Sequence, residues 1–253
     1  MNMTDIDLYR RGADTLLASW QEYAQGAVDA ALHRLPGVDA AVFPREPERG
    51  VYNNALLERG LNASGRAEAL DVLEEIYAAA GVDRFAAWIH EEDEPLRRDL
   101  IGRGYVLDTT TRAMGMSLDH LHEPRPNIPL RSAEWADYLR AEGLPADFLK
   151  QADHAAFHVL VARLDGEIVS AALAYDFRGD CGIYNVGTAE KARRRGLGTA
   201  LTAAQLYRAR DRGCSTASLQ STPMAERVYA AVGFRDLGRI LEYTPGELDP
   251  QAE

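Results

Sequence analysis

The sequence predicts an α+β fold in which helices cover a sheet of short strands, and it predicts two such halves. Three observations lead to this class. Apolar residues change repeatedly from helical spacing to strand alternation, a tight turn joins two apolar runs, and the order of elements occurs twice along the 253 residues.

The first half of the chain contains three predicted helices and three predicted strands. A long helix begins at Asp5 and continues to about Leu35, where Pro36-Gly37 ends it. The other elements are a strand from Ala40, a helix over Ser64–Ala80, a strand over Arg84–Ile89, a helix from Pro95 to Gly102 and a strand over Thr111–Leu118.

The second half follows a segment, HEPRPNIP, that holds three prolines in eight residues. Its predicted elements are a helix from Ser132 through Leu139, a hairpin over Phe157–Phe177 that turns at Asp165-Gly166, a strand over Cys181–Thr188, a helix over Thr199–Arg212, a strand over Ser215–Gln220, a helix over Met224–Ala231 and a strand over Arg239–Tyr243. We therefore expect an N-terminal domain over residues 1–122, a linker over 123–129 and a second domain over 130–253.

The two halves align weakly with each other. Setting Tyr52 on Tyr184 also sets Gly81 on Gly213 without a gap, and Gly104-Tyr105 meets Gly233-Phe234 after a short gap. Chance similarity between two strand-helix-strand units is one explanation. The match spans several elements, which favours duplication.

Composition restricts the class of partner. The formal net charge of −11 disfavours a dedicated nucleic-acid binder, because such proteins carry a broad basic face. The chain has no apolar run of about 18 residues and no apolar signal segment, so we expect no membrane partner. With only Cys181 and Cys214, we expect free thiols and a cytoplasmic protein.

One stretch, ARRRGLGTA at Ala192–Ala200, concentrates positive charge beside glycines between a predicted strand and a predicted helix. A helix begins with unpaired backbone N–H groups and the positive end of its dipole, and both favour a phosphate there. The loop lacks the third glycine of a dinucleotide fingerprint and the Lys-Ser or Lys-Thr pair of a P-loop. Two alternatives are a basic patch for nucleic acid and a phosphate cradle for one small ligand.

The pattern Arg193-x-x-Gly196-x-Gly198 resembles the coenzyme A loop of the GCN5-related N-acetyltransferases (the GNAT superfamily), which reads Gln/Arg-x-x-Gly-x-Gly/Ala. Downstream, TPMAERVYAAVGF resembles the next block of that family. Tyr229 matches its spacing, and Thr222 stands where the family has Asn. The resemblance covers about Ile128 to Tyr243. It implies an acetyltransferase-like α/β/α sandwich with a mixed, mostly antiparallel sheet.

The resemblance also implies acetyl-CoA as co-substrate, no metal, and a role for each matching residue. The backbone of Val186, Gly187 and Thr188 would bind the pantetheine arm, which Thr222 would also contact. Tyr229 would be the general acid that protonates the departing thiolate. The pyrophosphate would lie against Arg193, Arg194, Arg195, Gly196, Leu197 and Gly198, with Thr199 opening the helix.

Other polar residues give weaker signals. The candidates for the general base are Asp176, Asp180, Tyr184 and Glu190, and the sequence selects none of them over solvated surface roles. His154 and His158 lie four residues apart, but no HExxH motif or third ligand accompanies them, so we expect no metal site.

The first half lacks this chemistry at the aligned positions. Gly196 and Gly198 fall on Ser64 and Arg66, and Tyr229 falls on Leu100. We therefore predict that the first half is catalytically silent and shapes the substrate cleft.

Three functions are compatible with these features. The first is an acetyl-CoA-dependent N-acyltransferase that acts on an amine of a small molecule or peptide by direct transfer in a ternary complex. The second is a non-catalytic acyl-CoA-binding sensor or assembly module, and the third, disfavoured by the net charge, is a nucleic-acid binder. The acceptor, and whether the protein is a monomer or a homodimer, stay open.

Overall fold

The computed structural model describes residues 3–45, 52–141, 149 and 151–246. The helices are α1 (Asp5–Gln25), α2 (Ala63–Ala79), α3 (Glu94–Gly102), α4 (Trp135–Ala141), α5 (Leu197–Asp211) and α6 (Glu226–Val232). The strands are β1 (Ala31–Leu35), β2 (Val38–Val42), β3 (Asn54–Leu57), β4 (Ala86–His90), β5 (Tyr105–Ser117), β6 (Leu130–Ser132), β7 (Phe157–Leu164), β8 (Glu167–Phe177), β9 (Asp180–Thr188), β10 (Thr216–Ser221) and β11 (Arg235–Pro245). The predicted α+β class is confirmed.

The first helix is shorter than predicted. It ends at Gln25, and Ala31–Leu35 forms β1, which pairs antiparallel with β2 across a turn at Gly37 (φ +74°). The predicted extension to Leu35 is therefore wrong. Alanine and leucine in this stretch fit both helical and strand spacing. The hydrogen bonds that β2 offers therefore decide in favour of the strand.

The chain divides into two compact units, each formed from two separate segments of the sequence. Unit 1 comprises Met1–Ser19 and Arg112–Leu237, and unit 2 comprises Trp20–Thr111 and Gly238–Glu253. This division differs from the predicted domains because the end of β5 pairs within unit 1 and most of β11 pairs within unit 2. The predicted domain boundaries stay a prediction about independently folding parts.

Unit 1 contains the strand order β5-β10-β9-β8-β7-β6, in which only the β9–β10 pair is parallel. Helix α5 packs on β7, β8 and β9. Buried apolar side chains from the sheet, α5 and α6 fill the space between them, among them Met116, Ile183, Leu206, Leu219 and Tyr229.

Unit 2 contains the strand order β1-β2-β3-β4-β11-β5, with the β3–β4 pair parallel. Helix α2 buries Ala69, Leu70, Leu73 and Tyr77 against this sheet. Tyr77 stacks on Phe85 with ring centroids 4.0 Å apart, and its hydroxyl donates to the Ala41 carbonyl at 2.8 Å. This unit thus has an apolar core of its own.

The element order of the two repeats is the same. Strands β1, β2 and β3 followed by α2, β4, α3 and β5 correspond to β7, β8 and β9 followed by α5, β10, α6 and β11. The pairings correspond as well, since each repeat has two antiparallel pairs followed by one parallel pair. The two predicted halves therefore have one topology.

The predicted linker, residues 123–129, forms neither helix nor strand, but side chains attach it to α5. The Arg125 guanidinium lies 4.5 Å from the Tyr207 ring centroid and pairs with Asp211 at 3.3 Å. The Tyr207 hydroxyl donates to the Glu123 carbonyl at 2.8 Å. The segment is thus packed on α5 as a part of unit 1.

Candidate active site

Two parallel strands separate at the centre of unit 1. Strands β9 and β10 pair only where Asp180–Gly182 meets Thr216–Ser218, and beyond that point β9 continues to Thr188 without its neighbour. The outer backbone edge of Ile183–Thr188 is thereby left without a strand partner in the described part of the chain. Such an edge offers N–H and C=O groups to an extended ligand.

A β-bulge lies in the same part of β9, on the side that pairs with β8. Ala171 pairs with Gly187 but Leu173 pairs with Tyr184, so β9 holds an extra residue there. Asn185 takes the left-handed conformation (φ +50°), and its side chain donates to the Tyr138 hydroxyl at 3.0 Å. A bulge re-aims the strand that follows it. In this chain that strand is Val186–Thr188, the segment predicted to bind pantetheine.

Hydrogen bonds hold the end of β9 in place. The buried Ser170 hydroxyl donates to the Gly187 carbonyl at 2.6 Å and lies 2.8 Å from the Thr188 hydroxyl. Arg193 Nε donates to the Thr188 carbonyl at 3.2 Å. The backbone between the bulge and the loop is therefore ordered from both sides.

The N-terminus of α5 is open. Its N-cap, Gly196, is left-handed (φ +73°) and gives no side-chain cap, and the Gly196 carbonyl accepts from Ala200 N at 2.9 Å. The amides of Leu197, Gly198 and Thr199 lie in the first turn, where helical N–H groups have no internal acceptor. A Cβ at Gly198 would meet only Val186, at 3.9 Å, and one at Gly196 would meet nothing within 4 Å. The N-terminus of α5 therefore offers an anion both open space and backbone N–H donors.

The arginines of this loop are exposed. In the described part of the chain, no carboxylate forms an ion pair with Arg193, Arg194 or Arg195. Arg212 at the other end of α5, by contrast, pairs with Asp176 at 2.6 Å. Unpaired guanidinium groups beside open amides suit a phosphate, which accepts hydrogen bonds from both.

Tyr229 projects from α6 into the core of unit 1. Its side chain is 8% exposed, and its ring lies edge-on to Phe234 with centroids 6.0 Å apart. The hydroxyl has no hydrogen-bond partner among the described residues. Burial raises the pKa of Tyr229 to about 12, so the phenol keeps its proton at neutral pH. A protonated hydroxyl with no internal acceptor has the form that a general acid needs.

Thr222 lies exposed in the turn from β10 to α6. Its carbonyl accepts from Ala225 N and from the Ser221 hydroxyl, both at 2.9 Å. These bonds leave its side chain available to a ligand. Its predicted contact with the pantetheine arm stays a prediction.

The structure separates the candidates for the general base. Burial alone would raise the pKa of Asp176, but hydrogen bonds from Arg212 and His158 hold that pKa well below its ordinary value. Asp176 pairs with Cys181 in the sheet register, remote along β9 from Gly187, and acts as a structural ion-pair partner.

Two other candidates lie on β9. Burial raises the pKa of Asp180, although the Ser218 hydroxyl donates to it at 2.6 Å, and burial also raises the pKa of Tyr184. Glu190 is exposed in a 3₁₀ turn at Glu190–Ala192. These three stay candidates.

The two histidines have separate partners. His154 stacks on Trp135 with ring centroids 5.0 Å apart, and His158 lies 3.5 Å from Asp176. Over the described ranges, no group of three potential metal ligands occurs. A search of the same ranges finds no helix with the length and apolar character to cross a membrane.

Two contributors to the site were not predicted: Ser170 and Asn185. Asparagine tolerates the left-handed region better than most residues, so Asn185 in a predicted strand was a signal for the bulge. Ser170 had no such signal, because its partners follow from strand register.

Comparisons with known proteins agree with this geometry. Residues 121–234 match the Acetyltransferase (GNAT) family. No curated protein matches the chain. A GCN5-related N-acetyltransferase from Kribbella flavida has a TM-score of 0.68 at 19% identity, over 94% of both chains. One from Sphaerobacter thermophilus has a TM-score of 0.59 at 18% identity, over 83% of this chain and 78% of that one. A tandem GNAT protein from the clavulanic acid biosynthesis pathway has a TM-score of 0.56 at 15% identity, over 91% and 94%. These likenesses confirm the predicted fold.

Proposed function

We propose that this protein is an acetyl-CoA-dependent N-acyltransferase, because residues 121–234 match the Acetyltransferase (GNAT) family. Its acceptor is an amine of a small molecule or peptide, and the acetyl group passes directly in a ternary complex. One observation carries the proposal: the open α5 N-terminus, its unpaired arginines and the free edge of β9 adjoin one another. That combination supplies groups for a pyrophosphate and for an amide-bearing arm.

Each part of the site has a proposed role. Arg193–Gly198 and the first amides of α5 hold the pyrophosphate, while Val186, Gly187 and Thr188 offer backbone groups to the pantetheine arm, with Thr222 beside it. The open space above Gly198 fits this assignment, since a side chain there would occupy it. The net charge of −11 supports an amine rather than a nucleic acid as the acceptor.

The proposed reaction forms a C–N bond and breaks a C–S bond. The neutral amine attacks the thioester carbon, the sulfur departs, Tyr229 gives its proton to the thiolate, and the ammonium proton leaves through a base or water. The pKa of Tyr229, about 12, lies above that of an ordinary thiol at about 8.5. Burial also disfavours the charged thiolate and so raises the pKa of the thiol. The pKa of the thiol thereby comes closer to that of Tyr229.

A screen of amines with acetyl-CoA, followed by release of the free thiol, tests the proposal. We expect thiol release with at least one class of amine and binding of acetyl-CoA measured by calorimetry. Binding without release for any amine would favour the sensor or assembly module instead. Absence of binding would overturn the site itself.

A further inference from the structure

The helix that carries Tyr229 has little stability of its own. Helix α6 contains seven residues, and its N-cap, Ala225, gives no side-chain cap. Isolated helices of this length are unstable, and a missing cap destabilises them further. The position of the Tyr229 hydroxyl therefore depends on what holds α6 from outside.

Arg112 supplies such a contact at the start of α6. This β5 residue is opposite Ser221, the last residue of β10 before the turn that leads to the helix. Arg112 Nε lies 3.2 Å from Glu226 Oε2 in the first turn of α6, and its terminal nitrogen donates to Asp236 on β11. The side chains of Arg112 and Glu226 are only 16% and 23% exposed, so water screens their attraction weakly.

The geometry places this ion pair one helical turn from the phenol. Glu226 is three residues before Tyr229, and residues at that spacing lie on one side of a helix. A guanidinium between two carboxylates resists rotation better than a single-armed ammonium does. Loss of Arg112 would release the start of α6 while Phe234 still packs on the Tyr229 ring.

We infer that Arg112 is a positioning residue for Tyr229. This inference rests on the proposed function and assigns to Arg112 no contact with substrate. The groups proposed to hold the pyrophosphate belong to the loop and to α5, so acetyl-CoA affinity should be nearly independent of Arg112.

The test is a double-mutant cycle of Arg112→Met with Tyr229→Phe, measured as kcat and as the Kd of acetyl-CoA. Arg112→Met alone should lower kcat by about tenfold to 100-fold, the range expected for a catalytic group misplaced by about 1 Å. It should leave Kd within about threefold and produce no further loss of kcat in the Tyr229→Phe background. Arg112→Lys should restore part of the rate, because it keeps the charge and loses the fork.

Arg103→Met is the matched control, because Arg103 also bridges two carboxylates, Asp71 and Glu74, in unit 2. It should cost stability without lowering kcat. If Arg112→Met does not fold, Glu226→Gln removes the same ion pair with a near-isosteric side chain and should show the same pattern. Equal losses of kcat in both backgrounds would overturn the inference and leave the acid role intact. A wild-type rate for Tyr229→Phe would remove the acid role, and the inference with it.

Discussion

The helix after the third strand of each repeat begins in opposite ways in the two units. In unit 2, the Asn62 side chain caps α2 by accepting from Gly65 N at 2.9 Å, and Arg66 in the first turn pairs with Asp99 at 2.5 Å. In unit 1, Gly196 caps α5 without a side chain, and the neighbouring arginines form no ion pair with a described carboxylate. The two units share one topology. In unit 2 the helix dipole and the first-turn charge have partners within the protein, whereas in unit 1 the corresponding groups are open to a ligand.

The residue of unit 2 that aligns with Tyr229, the proposed acid, also lacks the functional group found in unit 1. Leu100 is fully buried in the core of unit 2, where Tyr229 brings a hydroxyl into unit 1. An apolar residue there has no proton to give. The comparison supports the prediction that the first repeat is silent, and it shows that a fold alone does not make a site.

The largest effect expected is that of Gly198→Trp, which fills the space beside Val186. The Kd of acetyl-CoA should rise by more than about 100-fold, because two or more charge-assisted hydrogen bonds of about 1.5–3 kcal/mol each are lost. Calorimetry measures this, with Gly102→Trp, at an open glycine of unit 2, as control. Undiminished binding by Gly198→Trp would refute the assignment of the α5 loop as the pyrophosphate site, and the contrast between α2 and α5 would fail.

Tyr229→Phe should lower kcat by about 100-fold or more, the range for loss of a general acid, and leave acetyl-CoA affinity nearly unchanged. Because the Tyr229 pKa is raised to about 12, the acid stays protonated as the pH rises from 7 to 10, and only above pH 10 should its deprotonation lower kcat. Steady-state rates across that range check both points. Loss of affinity in step with the rate would indicate a binding residue instead.

Replacing both Arg194 and Arg195 by Gln should raise the Kd of acetyl-CoA by about tenfold to 100-fold at low ionic strength and by less at high salt. The matched double substitution is Arg97→Gln with Arg98→Gln on α3, a second adjacent arginine pair near the surface. If both double substitutions raised the Kd of acetyl-CoA equally, the effect would come from the change in net charge and not from Arg194 and Arg195 in particular.

The smallest effect expected is that of Asn62→Ala, which removes the cap of α2. Unfolding in urea should show a loss of about 1 kcal/mol, while acetyl-CoA affinity stays the same. A change in affinity would tie the α2 terminus to ligand binding and contradict the difference between α2 and α5.

Local patterns were enough to select candidate site residues, which stay a prediction, but they were not enough to predict the path of the chain. The loop and Tyr229 were identified from a short motif, because its spacing can be recognised in the sequence without knowledge of the fold. Ser170 and Arg112 were not, because Ser170 depends on register across a bulge and Arg112 on a partner more than a hundred residues away. The end of α1 was wrong because its apolar residues suit two periods. The assignment of β11 to unit 2 could not follow from local propensity, since propensity does not choose a strand's neighbour.

That assignment of β11 affects how the protein reaches its native state. Unit 2 cannot complete its sheet until Gly238–Pro245 has left the ribosome, although Trp20–Thr111 emerges long before. The edge of β4 that β11 covers stays exposed through most of synthesis, when unpaired edges are prone to aggregation. Pairing across such a sequence separation gives a high contact order, so slow, largely post-translational folding is the consequence of this strand.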